Sequence, residues 1–353
     1  MVGKEIWMFK TSTVMILLLM LILAGCGGKD SASSTVESEK KGKGKMDEIE
    51  ISVTHYPTGL YGVPYNVGID KGFFEEEGIK IKKIVGSSGG GTTVRNVLSG
   101  DLPFGDVSTS AVLQSYLAGA PLKIVGGGVQ SVSDLVYVTR KDDKIEKVED
   151  LKGKTWAFTN PGSVSETTSQ LVLDAAGIDP KSLKLVASGG VSEGLTLLKE
   201  GEVDATLMLE PAYSVQKNDW KALFRVSDHV SAYQQSVIIT SPQVIKQNPG
   251  LVKRFLAAYQ KSVEWTYANP DEAGKIFAKY AEIDEAASVA ALKDLEEHWN
   301  SKIEVDSMNN VTKGMQLANT LKKGEEIVWE EVLDMSFLPE EQRLDPSKLD
   351  SNK

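Results

Sequence analysis

Short β-branched runs alternate with helix-patterned stretches along this chain, and that alternation restricts its architecture more than any other feature. "IEISVTH" is followed by "GVPYNVGIDKGFFEEEG", "IKIKKIVG", "TTVRNVLSG", "LPFGDVS", "AVLQSYLAG" and "PLKIVGGG". Strands separated by roughly ten-residue helical patterns make βαβ units, whose strands lie parallel in one sheet, so an α/β fold is expected. "DLVYVTRKD", residues 134–142, reads as a further strand. The pattern then restarts with "KTWAFTN", "SETTSQLVLDAAG", "SLKLVAS", "SEGLTLLKEG", "VDATLMLEP" and "KALFRVSD". "QQSVIITS", residues 234–241, is a last strand, and everything beyond it is helical in pattern. Two similar α/β lobes, with the chain crossing between them twice, would enclose a hinged cleft, a common setting for small-molecule sites. In the tail, Val252, Phe255, Leu256, Tyr259 and Val263 recur at helical spacing and read as a packing face with no site.

The N-terminus is of another kind. Lys4 and Lys10 precede "VMILLLMLILA", Val14–Ala24, eleven apolar residues that are too few to cross about 30 Å of hydrocarbon but fit the apolar core of a secretory signal. "LAGC", Leu23–Cys26, resembles the lipobox of bacterial lipoproteins, which implies removal of residues 1–25 and acylation of Cys26. Cys26 is the only cysteine among 353 residues, so an intrachain disulfide and a cysteine-rich metal site are both excluded. Residues 26–47 are nearly free of apolar side chains and read as a flexible tether, because such a segment cannot bury enough surface to offset its ordering entropy. The net charge of −10 argues against nucleic acid as a partner, since neutralising phosphates needs a basic surface.

In open α/β sheets, ligands sit beyond the carboxyl ends of the strands. That rule selects "HYPTG", "SSGGG", "DVSTS", "TNPGSVSE" and "LEPAY" as walls of one cleft. Three of them run into a helix and are rich in Ser, Thr and Gly, so they present unpaired N–H groups and the positive end of a helix dipole to an anionic or strongly accepting group without any arginine. Ser88, Thr109 and Ser163 are the leading donors, with Ser87, Gly89, Ser108, Asn160 and Gly162 beside them. Each hydroxyl could instead cap its own helix. His55 and Tyr56, with Gly59 behind them, would offer an aromatic face to a ring or alkyl body. Asp106 is expected to cap the following helix, and Glu166 to complete a capping box with Ser163.

Several chemistries are absent from the pattern. "GTTVRN" lacks the GK[ST] of a P-loop, and "SSGGGTTV" is out of register for a dinucleotide fingerprint. His229 and His298 stand alone, without metal-ligand spacing. Neither a metal nor a cofactor is expected.

Four blocks, "NVGIDKGFFEEEGIKIK", "VRNVLSGDLPFGDVSTSAVLQSYLAGAPLKIV", "LKGKTWAFTNPGSVSETTSQLVLDAAGID" and "GLTLLKEGEVDATLMLEP", give the chain its resemblance to the substrate-binding proteins of ABC importers for nitrate, taurine, alkanesulfonates and thiamine-pyrimidine precursors. The resemblance implies a two-lobed, Venus-flytrap binding protein of the type II periplasmic class, monomeric and without a catalytic step. It would be lipid-anchored on the extracytoplasmic face of the membrane and deliver its ligand to a permease and ATPase. It implies lobe I over 48–137 plus 238–353 and lobe II over 138–237. It also places Glu210, in "EP", at the cleft edge, where a carboxylate would favour an N–H-donating group on the ligand. Two alternatives stand beside it. One is an anchored sensor or scaffold; the other is an enzyme akin to the fungal pyrimidine-precursor synthases, which carry a cysteine-rich motif that this chain lacks.

Overall fold

The computed structural model describes residues 46–352 except 294 and 296; the expected signal segment, Cys26 and nearly all of the tether lie outside the described residues. Asp47, placed in the tether by the sequence reading, already opens the first strand. The chain begins with β1 (Asp47–Thr54), α1 (Val63–Asp70), α2 (Phe73–Glu76), β2 (Ile79–Ser87), α3 (Gly90–Leu98), β3 (Phe104–Ser108), α4 (Thr109–Leu117) and β4 (Lys123–Gly127). It continues with β5 (Leu135–Arg140), β6 (Thr155–Phe158), α5 (Val164–Ala175), β7 (Lys184–Ala187), α6 (Val191–Glu200), β8 (Thr206–Leu209), α7 (Ala212–Gln216) and β9 (Trp220–Arg225). It then returns through β10 (Ser236–Thr240) to α8 (Pro242–Gln247), α9 (Pro249–Ala268), α10 (Pro270–Ala281), α11 (Glu285–Lys293), α12 (Val305–Leu317) and α13 (Trp329–Val332).

The first sheet has the order β2-β1-β3-β10-β4. β1 runs parallel to β2 and β3, as βαβ connections require, and its residues Ile51 to Thr54 are buried on both faces. β10 enters antiparallel between β3 and β4, so the sheet is mixed rather than purely parallel. The second half also departs from a simple repeat of the first. β8-β5-β9 is an antiparallel sheet, and β6 and β7 form a separate parallel pair.

The chain passes from the first sheet to the second through residues 128–134 and returns through 226–235. The boundaries expected at 137/138 and 237/238 therefore fall inside β5 and β10. The tail, expected wholly in lobe I, lies along both crossings. Gly127 N donates to Ser301 O at 2.7 Å, Gln130 N to His298 O at 2.8 Å, and Gln234 N to Ser307 O at 3.1 Å. α12 then packs on α5, where Lys313 pairs with Asp174 at 2.7 Å and Gly314 lets the two helices approach closely.

The stripe on α9 is core. Val252, Phe255, Leu256, Tyr259 and Val263 are all buried, and the Phe255 ring stacks on Phe104 with centroids 3.9 Å apart. At its start Asn248 accepts a hydrogen bond from Leu251 N at 3.0 Å, and Pro249 occupies a position whose N–H would have no partner.

Candidate functional site

A cavity of about 280 Å³ lies beyond the carboxyl ends of β1, β2, β3 and β6, with β8 closing one side. Of the expected residues, His55, Gly59, Ser88, Gly89, Ser108, Asn160, Gly162 and Ser163 line it. Tyr56, Ser87, Thr109 and Glu210 do not.

The first wall turns sharply after β1. His55 adopts a left-handed backbone with φ 60°, its carbonyl accepts from Gly59 N at 2.7 Å, and a Cβ on Gly59 would stand 2.6 Å from that of His55. Burial lowers the His55 imidazole to about 4, so the ring is neutral at physiological pH, and no described residue hydrogen-bonds its nitrogens. The aromatic partner at this wall is Tyr61, whose ring meets His55 edge-on at 6.2 Å. Tyr56, expected in that role, instead lays its ring against Gly62 and packs on the core. A second aromatic five residues along the same loop left no signal that could rank it above the first.

The second and third walls are helix starts. Gly89 is the N-cap of α3 with an extended backbone, φ −177°, and no atom lies within 4 Å of where its Cβ would stand. Ser88 is exposed at the cavity, whereas Ser87 is used internally: its hydroxyl bonds Gly89 O at 3.2 Å and Thr93 Oγ1 at 2.6 Å. Ser108 is the N-cap of α4 yet makes no capping bond through its side chain, which leaves its hydroxyl to the cavity. Thr109 is fully buried behind it and donates its backbone N–H to Gln235 O at 3.1 Å. Asp106 is no cap either. It is inside β3, 1% exposed, accepts from Tyr65 Oη at 3.0 Å, and burial pushes its carboxyl up to about 7.

The fourth wall begins α5. Ser163 caps it by accepting from Glu166 N at 3.2 Å, and the Glu166 carboxylate reaches back to Gly162 N at 2.6 Å. The expected capping box thus forms with its return bond one residue earlier, and Ser163 both caps the helix and lines the cavity. Gly162 has φ 77°, a conformation that favours glycine, and its carbonyl accepts from Ser110 Oγ of α4 at 2.9 Å, which ties the two halves together at the cavity rim. Beside it, Gly189 and Val191 bring the start of α6 to the same space, a wall the sequence reading did not include.

Glu210 is the clearest correction. It is 3% exposed but turned from the cavity: Oε1 accepts from Arg225 Nη2 at 2.6 Å and Oε2 from Ser214 N at 3.1 Å. The carboxylate that does line the cavity is Asp134, 2% exposed, whose Oδ1 accepts from Gln235 Nε2 at 2.7 Å. Burial raises the Asp134 carboxyl to about 7. Its one visible signal is a lone acidic residue directly before the apolar run "LVYV".

Arg95 also lines the cavity, although the expected site contained no arginine. It is exposed on α3, donates through Nη2 to Thr92 Oγ1 at 2.8 Å, and has no carboxylate within ion-pairing distance among the described residues. The starts of α3, α4, α5 and α6 and this guanidinium therefore face one space. The arrangement offers N–H donors and positive potential to an acceptor-rich group. Among the described residues no cluster of three His, Cys, Asp or Glu could hold a metal ion.

Residues 61–273 match the family model described as NMT1/THI5 like. The formylaminopyrimidine-binding protein of Halalkalibacterium halodurans is 26% identical over 234 residues, which span 65% of this chain and 69% of that protein. The fold is that of the periplasmic aliphatic sulphonate-binding protein SsuA from Escherichia coli (18% identity, TM-score 0.63, 77% of this chain and 91% of that one). It is also that of the nitrate-binding protein NrtA from Synechocystis (13% identity, TM-score 0.67, 83% and 87%). The matched segment exceeds half of the sequence and takes in the cavity-lining loops other than the one directly after β1: the chain belongs to the NMT1/THI5-like family.

Proposed function

We propose that this chain is the extracytoplasmic, lipid-anchored solute-binding component of an ABC importer, and that it captures a small organic anion or an acidic N-heterocycle in the cavity between its halves. The observation that carries this reading is the convergence on one space of four helix N-termini and Arg95, which has no carboxylate partner among the described residues, in a chain of net charge −10. An acidic exterior gives no general reason for such a spot, whereas an anion with several acceptor oxygens fits it. His55 and Tyr61 supply a flat, partly apolar wall for the body of the solute. The relatives are named for formylaminopyrimidine, an N-heterocycle, and for sulphonate and nitrate, which are anions with several acceptor oxygens.

The lobes that would close on the solute are the five-stranded sheet with its helices and, opposite it, the β8-β5-β9 sheet and β6-β7 pair with theirs, joined by residues 128–134 and 226–235. The Ser110–Gly162 hydrogen bond would belong to the closed arrangement. Thermal-shift screening of the full-length chain against taurine, alkanesulfonates, nitrate and pyrimidine carboxylates tests the reading. A solute at 100 times its Kd adds about 2.7 kcal/mol to stability. A shift with at least one small acid is expected, and none with any of them contradicts the reading.

A further inference from the structure

Asp134 lines the cavity and forms no ion pair among the described residues. It is 2% exposed, at the end of the first crossing, and its only side-chain donor among the described residues is the neutral amide of Gln235 on the second crossing. That amide serves Oδ1; Oδ2 has no side-chain donor among the described residues. Arg225 is the cation close enough to bear on it, but Nη2 is held by Glu210 at 2.6 Å and Nη1 by Ser133 O at 2.9 Å. Glu210 adds a second negative charge nearby, and the aromatic side chains at this end, His55 and Tyr61, bring no positive charge of their own. A desolvated carboxylate held only by one neutral side-chain amide and its own backbone N–H is costly unless something else satisfies it. The residue lines the cavity.

We infer that Asp134 selects, among the acidic solutes proposed above, those that also carry an N–H donor, which it holds on Oδ2. The donor would be an ammonium, an exocyclic amine or a ring N–H, set opposite the acid group that faces the helix starts. The inference rests on the proposed function and narrows it. A solute with the same acid group but no donor leaves the carboxylate without its partner, and so binds roughly ten- to a hundredfold more weakly.

Matched pairs test this. Isothermal titration at pH 8, where the carboxyl is ionised, compares taurine with ethanesulfonate and 4-aminopyrimidine-5-carboxylate with pyrimidine-5-carboxylate, on the wild-type full-length chain and on Asp134→Asn and Asp134→Ser. The expected result is that, in a pair that binds, the amino member binds at least tenfold tighter to wild type. That preference collapses in whichever variant retains the wild-type circular dichroism spectrum. Equal affinity within the pair, or a preference that survives in the folded variant, overturns the inference and leaves the proposed function standing. Binding of no member of either pair overturns the inference, while the proposed function falls only if the wider thermal-shift screen is also silent.

Discussion

Glu210 and Arg225 form an ion pair 2.6 Å long across β5, and it decides which carboxylate the cavity keeps. β8 and β9 flank β5, with Leu209 opposite Leu135 and Arg225 opposite Val136, so residues from strands fifteen positions apart meet over the central strand. Arg225 is thereby taken, and Asp134, whose carbonyl accepts from Glu210 N at 2.9 Å, is left facing the cavity.

Glu210→Gln is expected to lower stability by about 1–3 kcal/mol. The loss is below that of a fully buried pair because the Arg225 side chain is 37% exposed and water can replace part of the interaction. Urea unfolding measures it. A solute that the wild type binds should retain most of its affinity, since Glu210 does not line the cavity.

Stability should fall with rising pH because of Asp134, and the sign follows from its shift. Its folded carboxyl is raised from 3.8 to about 7, so between those values the folded state holds a proton that the unfolded state has released. The stabilisation is full below the unfolded value and lost as pH rises through 7. Asp106, also raised to about 7, acts in the same direction, while His55 and His298, lowered to about 4 and about 3, act in the opposite one below pH 6.5. The total profile is therefore flattened in acid, and the difference between Asp134→Asn and wild type isolates one group. The Tm of the variant relative to wild type should climb steadily from pH 4 to pH 8; a constant difference would contradict the assignment.

The loops that face the cavity were legible because their position follows from topology alone: once β1, β2, β3 and β6 are recognised, their carboxyl ends select "HYPTG", "SSGGG", "DVSTS" and "TNPGSVSE". The α9 stripe was legible for a similar reason, since helical spacing is a local property. Which side chain turns inward was not. The roles of Glu210 and Asp134 depend on pairing across β8-β5-β9, which brings Arg225 to one and not the other. Arg95 sits one turn inside α3, where an isolated basic residue reads as solvated surface. The antiparallel insertion of β10 and the course of the tail across both crossings are set by contacts distant in sequence, such as Gly127 with Ser301.

Two glycines separate cavity shape from folding. Gly89→Ala keeps an extended backbone that any residue adopts and adds a methyl where no atom lies within 4 Å, so Tm should change by no more than a degree or so while solute affinity drops at least tenfold. Gly162→Ala forces an alanine to φ 77° and drives its methyl into the Gln114 amide, so destabilisation of about 1–3 kcal/mol is expected. Differential scanning calorimetry beside titration distinguishes the two.

Phe255→Ala should cost about 3–5 kcal/mol, because the ring is fully buried, stacked on Phe104 and tilted against Tyr65 and Phe74. Chemical denaturation checks it, and a loss below 1 kcal/mol would contradict the packing described for α9.

The central claim is that an acid group binds at the helix starts. The measurement that addresses it most directly is a crystal structure of the chain with the small acid that gives the largest thermal shift. Acid oxygens should accept from backbone N–H groups at the starts of α3 and α5, with Arg95 beside them. An acid group turned to solvent, or a solute seated outside this cavity, would contradict it.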